Sequence, residues 1–120
     1  MIKVNDDLSI YVTRGDAAAF SVNTDPYKFK DGDIVGFKVF EKKKCGSVVL
    51  HKKFPCVAGE TCVYITLTGE ETKLGECISK PKDYWYEIEL NPDTMPQTIV
   101  GYDEDGAKVF CLFPEGGEKE

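Results

Sequence analysis

Asp83-Tyr84-Trp85-Tyr86-Glu87-Ile88-Glu89-Leu90 alternates residue by residue between two kinds of side chain. In an extended strand successive side chains point to opposite faces, so Tyr84, Tyr86, Ile88 and Leu90 share one face and Trp85, Glu87 and Glu89 the other. The first set reads as core. The second reads as a charged outward face that carries one large aromatic.

The same period of two recurs at Leu8, Ile10 and Val12, at Val35, Phe37 and Val39, and at Thr61, Val63, Ile65 and Leu67. It predicts strands near 8–13, 17–24, 33–41, 47–54, 61–67, 83–90, 97–103 and 107–113, with Phe37, Val39, Val63, Ile65, Tyr86 and Ile88 buried. Every proline falls between these stretches or at their ends, where a missing ladder donor does no harm. Turn chemistry marks the junctions at Gly15-Asp16, Asp31-Gly32-Asp33 and Asp105-Gly106. About eight short strands predict an all-β sandwich. The one helical signal is Thr68-Gly69-Glu70-Glu71-Thr72-Lys73-Leu74-Gly75, where Thr68 and Glu71 can form a capping box around one or two turns. Residues 1–114 form a single domain on this reading. Residues 115–120 have nothing to bury and form a disordered tail.

With 120 residues and 13.4 kDa the chain has the size of one domain with one core. Its hydrophobic fraction of 42% and charged fraction of 30% suit a globular protein. A net charge of −6 repels a phosphate backbone, so nucleic acid is not an expected partner. The basic run Lys42-Lys43-Lys44 reads as a solvated hairpin tip. No stretch is long and apolar enough for a membrane span, and the first residues lack the apolar region of a signal peptide. The expectation is a protein not exported by that route. Cysteines at 45, 56, 62, 77 and 111 are odd in number and form no C-x-x-C pair, which predicts reduced thiols and no zinc site.

Few residues suggest chemistry. Glu87 and Glu89 stand roughly 6.5 to 7 Å apart at Cα, a spacing that superficially suits an inverting glycosidase pair, but no pocket-forming segment accompanies them and a solvated strand face is the better reading. His51 is the only histidine and lies between Leu50 and Lys52-Lys53 on a surface strand; with no G-x-S-x-G elbow, no triad is expected. Asp103-Glu104-Asp105-Gly106 resembles half a calcium loop, yet Ala107 and Pro114 occupy positions where ligands are needed, so it reads as a hairpin turn. Arg14-Gly15-Asp16 is explained by a corner between strands. No catalytic residue, metal site or cofactor is expected. Trp85 stands out as a contact residue, because a large aromatic on a charged face is either covered by its own chain or an anchor for a protein or a sugar.

Two stretches taken together resemble a known family. One is Ile10-Tyr11-Val12-Thr13-Arg14-Gly15-Asp16 with Phe20-Ser21-Val22 and Asp31-Gly32-Asp33-Ile34-Val35-Gly36-Phe37-Lys38-Val39. The other runs from Ile65-Thr66-Leu67-Thr68-Gly69-Glu70-Glu71-Thr72 through Tyr84-Trp85-Tyr86-Glu87-Ile88-Glu89-Leu90 to Gln97-Thr98-Ile99-Val100-Gly101-Tyr102. Over about residues 8 to 114 they resemble the immunoglobulin-like domain of baseplate and tail proteins from phages and prophages of Gram-positive bacteria, such as the N-terminal domain of the baseplate upper protein. The resemblance implies an immunoglobulin-like sandwich with no active site, acting as a virion structural or assembly part in the virion or the host cytoplasm. Its implied partners are other tail or baseplate proteins or further copies of itself. Trp85, Glu87 and Glu89 are the interaction candidates. The alternative reading is a carbohydrate-binding module that uses Trp85 with Tyr64 or Tyr86; a small hydrolase using Glu87 and Glu89 ranks third.

Overall fold

The computed structural model describes residues 2–43, 46–104 and 106–115. Among these, nine strands form: β1 (Ile2–Val4), β2 (Ile10–Thr13), β3 (Ala18–Asn23), β4 (Ile34–Phe40), β5 (Val48–Pro55), β6 (Cys62–Leu67), β7 (Lys82–Leu90), β8 (Gln97–Val100) and β9 (Lys108–Phe113). The all-β expectation is met. β1–β2–β9–β7–β4–β5 form one large sheet, and β8 joins it by pairing with the end of β7 that β9 leaves open. Its pairs are antiparallel except β2 with β9, which run parallel with Ile10 opposite Phe110 and Thr13 opposite Phe113. β3 and β6 form a separate two-stranded antiparallel sheet.

The period of two decides which side chains meet. Val35, Phe37 and Val39 of β4, Tyr84, Tyr86, Ile88 and Leu90 of β7, and Phe110 and Leu112 of β9 are buried in one cluster with Val22 of β3 and Val63, Ile65 and Leu67 of β6. All six residues predicted to be buried are in it. Phe37 is its hub: fully buried, with the rings of Tyr86, Phe110 and Phe20 centred 5.7, 5.9 and 5.7 Å away, the last reaching across from the two-stranded sheet. A buried residue of this size contributes through its removed apolar area and through edge-to-face ring contacts.

Three expectations need correction. Leu8 does not open a strand: it has φ of 71° and is 40% exposed. The Asp7 carboxylate accepts from both the amide and the hydroxyl of Ser9, at 3.0 and 2.6 Å, and this local capture turns the chain before β2 begins. The capping box forms as expected, with Glu71 donating its amide to Thr68 Oγ1 at 3.2 Å and Thr68 donating to Glu71 Oε1 at 2.8 Å, but no helix follows among the described residues. The segment makes one hydrogen-bonded turn because Thr72 is drawn inward. Its fully buried hydroxyl accepts from the Gly15 amide at 2.9 Å and lies 2.9 Å from the Asp16 carbonyl. Glu115 does not belong to a disordered tail, since it accepts from Arg14 at 2.9 Å; residues 116–120 lie outside the described residues.

The same Arg14 is buried and also donates to the carbonyls of Leu74 and Gly75, so its place in the Arg14-Gly15-Asp16 corner is structural. At the other end Asp33 accepts from the Tyr27 hydroxyl, the Lys30 amide and the Asn91 amide group, and Asn91 accepts from the Ile34 amide. That network fixes the starts of β4 and of the turn after β7. It also holds the Asp33 carboxyl below the ordinary carboxylate range, chiefly through the Lys30 amide.

Candidate functional site

The outward face of the large sheet divides into two halves. Near the Pro92 turn it is charged. Lys38 of β4 stands between His51 of β5 and Glu87 of β7, and its ammonium bridges to Glu89 at 3.2 Å. His51 is exposed, and partial burial together with Lys38 and Lys53 pushes its pKa down. Lys53 pairs with Asp93 on the same side. This lattice is half-buried at Lys38, Glu87 and Glu89 and solvated at His51, Lys53 and Asp93, and its charges largely offset one another.

The other half is apolar. Phe40 and Val109 flank Trp85 in register, and beyond them Cys111 lies between Asp83 and Tyr11, with the Tyr11 and Phe113 rings centred 5.2 Å apart. Phe40, Trp85, Val109, Tyr11 and Phe113 are all half-buried. Cys111 is buried among them, and burial with a hydrogen bond to Asp83 pushes its thiol up to about 11. Cys56, Cys62, Cys77 and Cys111 are free thiols; Cys45 lies outside the described residues.

Trp85 sits in an open groove of about 350 Å³ lined by Phe40, Lys42, Lys43, Glu87 and Tyr102 among others. Two irregularities build it. The β4–β5 pairing slips between Val39 and Phe40, so that Val39 faces Leu50 but Phe40 faces Val48. Such a bulge bends and twists the strand pair. The hairpin tip beyond it, closed by Glu41 donating to the Ser47 carbonyl at 3.0 Å, borders the groove with Lys42 and Lys43. Gly46 is required there, because an added Cβ would stand 2.6 Å from the Lys42 amide nitrogen. The second slip lies between Ile88 and Glu89 in the β7–β8 pairing. After it Gly101 crosses over Glu87, where a Cβ would meet Glu87 Oε2 at 3.2 Å and Thr98 Cγ2 at 2.7 Å, and Tyr102 follows as the opposite wall. Strand 97–103 of the sequence reading therefore stops at Val100.

The three sequence candidates share a strand face but do not all line the groove. Trp85 and Glu87 line the groove, whereas Glu89 is ion-paired to Lys38 outside it. Burial, and then the neighbouring Glu89 carboxylate, pushes the Glu87 pKa up, which disfavours charge at the groove wall. Of the proposed sugar partners of Trp85, Tyr86 borders the groove but presents almost no surface to it, and Tyr64 lies elsewhere. Tyr86 is 4% exposed in the core, its hydroxyl donating to the Leu8 carbonyl, and Tyr64 is 67% exposed on the two-stranded sheet. Sequence reasoning missed Tyr102 and Phe40, whose only signal was aromatic character beside a turn. Below the groove Lys108 is buried, with its ammonium 2.7 Å from Asp103. The Asp103–Gly106 bridge forms the expected turn, although Asp105 lies outside the described residues. Among the described residues no group of histidine, cysteine and carboxylate side chains is placed to hold a metal. Comparison with known protein families, with curated proteins and with solved structures finds no match.

Proposed function

We propose that this chain is a non-enzymatic contact module, a structural or assembly part of a phage or prophage tail or baseplate, that meets protein neighbours through the outward face around Trp85. The observation that carries the contact reading is that the sole tryptophan is only half-buried and stands in an open groove between Phe40 and Tyr102, continuous with an apolar stripe on an otherwise charged face. Aromatic side chains rimmed by charge are the usual centre of an interface.

The immunoglobulin-like reading is supported by strand order. β9–β7–β4–β5 follow the G–F–C–C′ order of a variable-type sheet, and β3 with β6 stand where B and E pair. Tyr84 lies near the start of β7 with its hydroxyl beside Gly75 of the preceding connection, which resembles a tyrosine corner. The opposing sheet has two strands rather than four. The tail or baseplate role rests on the sequence resemblance.

Trp85→Ala tests the reading. Sedimentation with isolated tail particles should show the natural chain travelling with them and the variant left behind, a loss of about 2 kcal/mol or more of binding, while melting shifts only slightly. A melting loss of roughly 3 to 5 kcal/mol with unchanged co-sedimentation would make Trp85 a packing residue and remove the reading. A second reading, carbohydrate binding, is favoured by one observation: Trp85 and Tyr102 line one groove. It predicts a shift of Trp85 fluorescence with cell-wall polysaccharide, which the assembly reading does not.

A further inference from the structure

The groove around Trp85 has a charge that the rest of the chain does not share. The protein carries −6 overall. At the groove mouth Lys42 and Lys43 are exposed, lie on the hairpin tip, and form no ion pair among the described residues. Of the other charged groups lining it, Lys108 is balanced by Asp103, and Glu87 is flanked by Gly101 and half-buried. The floor and walls are aromatic, from Phe40, Trp85 and Tyr102. The geometry points to an acidic segment of a partner protein as the occupant, its carboxylates meeting Lys42 and Lys43 and an apolar side chain seated against Trp85. This deepens the contact reading above and rests on it.

Charge complementarity selects this occupant over two others. A second copy would bring −6 against −6, a repulsion that the two lysines do not offset. A short acidic segment meets only charges within about one Debye length, roughly 8 Å at physiological salt, and the charged residues lining the groove are Lys42, Lys43, Lys108 and Glu87. An uncharged glycan would use the aromatic walls but leave the lysine pair without a role. Rim charges of this kind mainly set association rate, salt dependence and partner choice, while the aromatic anchor sets residence time.

Because Trp85 is the only tryptophan, its fluorescence reports from the groove alone. The probes are a short blocked peptide in which aspartates and glutamates flank a Leu-Phe pair, the same peptide with lysines in place of the carboxylates, and a neutral oligosaccharide. The acidic peptide should change Trp85 emission saturably. The lysine peptide should do so at least about tenfold more weakly, and the acidic response should weaken several-fold from about 20 mM to 500 mM salt. Lys42→Glu with Lys43→Glu should reduce or reverse the preference; both side chains are exposed, and Lys42→Gln with Lys43→Gln serves if the reversal disturbs folding. Equal response to both peptides, or no effect of either lysine double variant, would overturn the acidic partner while leaving a protein contact at Trp85 standing. Silence with both peptides and a response to the oligosaccharide would overturn the contact reading too. Acid-peptide binding accompanied by dimerisation in sedimentation would assign the groove to a second copy and also overturn the inference.

Discussion

Replacing Phe37 by Ala tests the claim that one core joins both sheets. Phe37 is fully buried and touches the rings of Tyr86 and Phe110 in its own sheet and of Phe20 in the other. Truncating a buried phenylalanine costs about 3 to 5 kcal/mol, the transfer free energy of the ring plus the cavity left behind. Each favourable ring pair adds roughly 0.5 to 1.5 kcal/mol, so three of them place this site at the top of that range. An unfolding entropy near 2.1 cal/mol/K per residue gives about 250 cal/mol/K for this length, or roughly 4 °C per kcal/mol, so the melting temperature should fall by about 16 to 20 °C. Urea titration checks the origin: the midpoint should fall with the slope unchanged. Phe113→Ala, at a half-buried position on the outward face, is the control and should cost clearly less. A Phe37→Ala loss below about 2 kcal/mol, or no larger than that of Phe113→Ala, would refute a shared core centred on this ring.

Two further predictions concern pH. Glu87 has its folded pKa raised, first by burial and then by Glu89, so its contribution to stability is fully present below the ordinary carboxylate pKa and is lost as pH rises through the folded value. Glu87→Gln should therefore gain on the natural protein as pH rises from about 4.5 to neutral; parallel curves across that window would contradict this. Asp33 has its folded pKa lowered, chiefly by the Lys30 amide, so its contribution is present above the ordinary value and lost as pH falls through the folded one. Asp33→Ala should cost about 2 kcal/mol at neutral pH, as expected when a charged acceptor of three partly buried hydrogen bonds is removed, and should flatten the acid limb below about pH 4. An acid limb as steep as that of the natural protein would refute it.

The strands were legible because a half-buried strand imposes its period of two on the sequence. Val35, Phe37 and Val39, or Val63 and Ile65, can be assigned to a face from spacing alone. Leu8 fits the same period and fails, because the Asp7 side chain captures Ser9 and no apolar pattern records that bond. The capping box was readable from Thr68 and Glu71, but its ending was not, since Thr72 is held by Gly15 and Asp16, more than fifty residues away in sequence. The groove was the least legible feature. Trp85 was identifiable as an aromatic on a charged face, yet Lys42, Lys43 and Tyr102 reach it through register slips at Val39/Phe40 and Ile88/Glu89, which depend on pairing between strands rather than on composition.

The parallel alignment of β2 and β9 has a mechanical consequence. A pull that enters ahead of Ile10 and leaves beyond Phe113 would drag the two strands in opposite directions along their own length. The interstrand hydrogen bonds from Ile10 to Thr13 would then bear the load together, in shear, instead of opening one after another as in a hairpin peeled from its end. Arg14, gripping Glu115 and the carbonyls of Leu74 and Gly75 just past that ladder, would have to give way in the same event. A ladder arranged in this way would resist tension as a single unit up to the point of rupture.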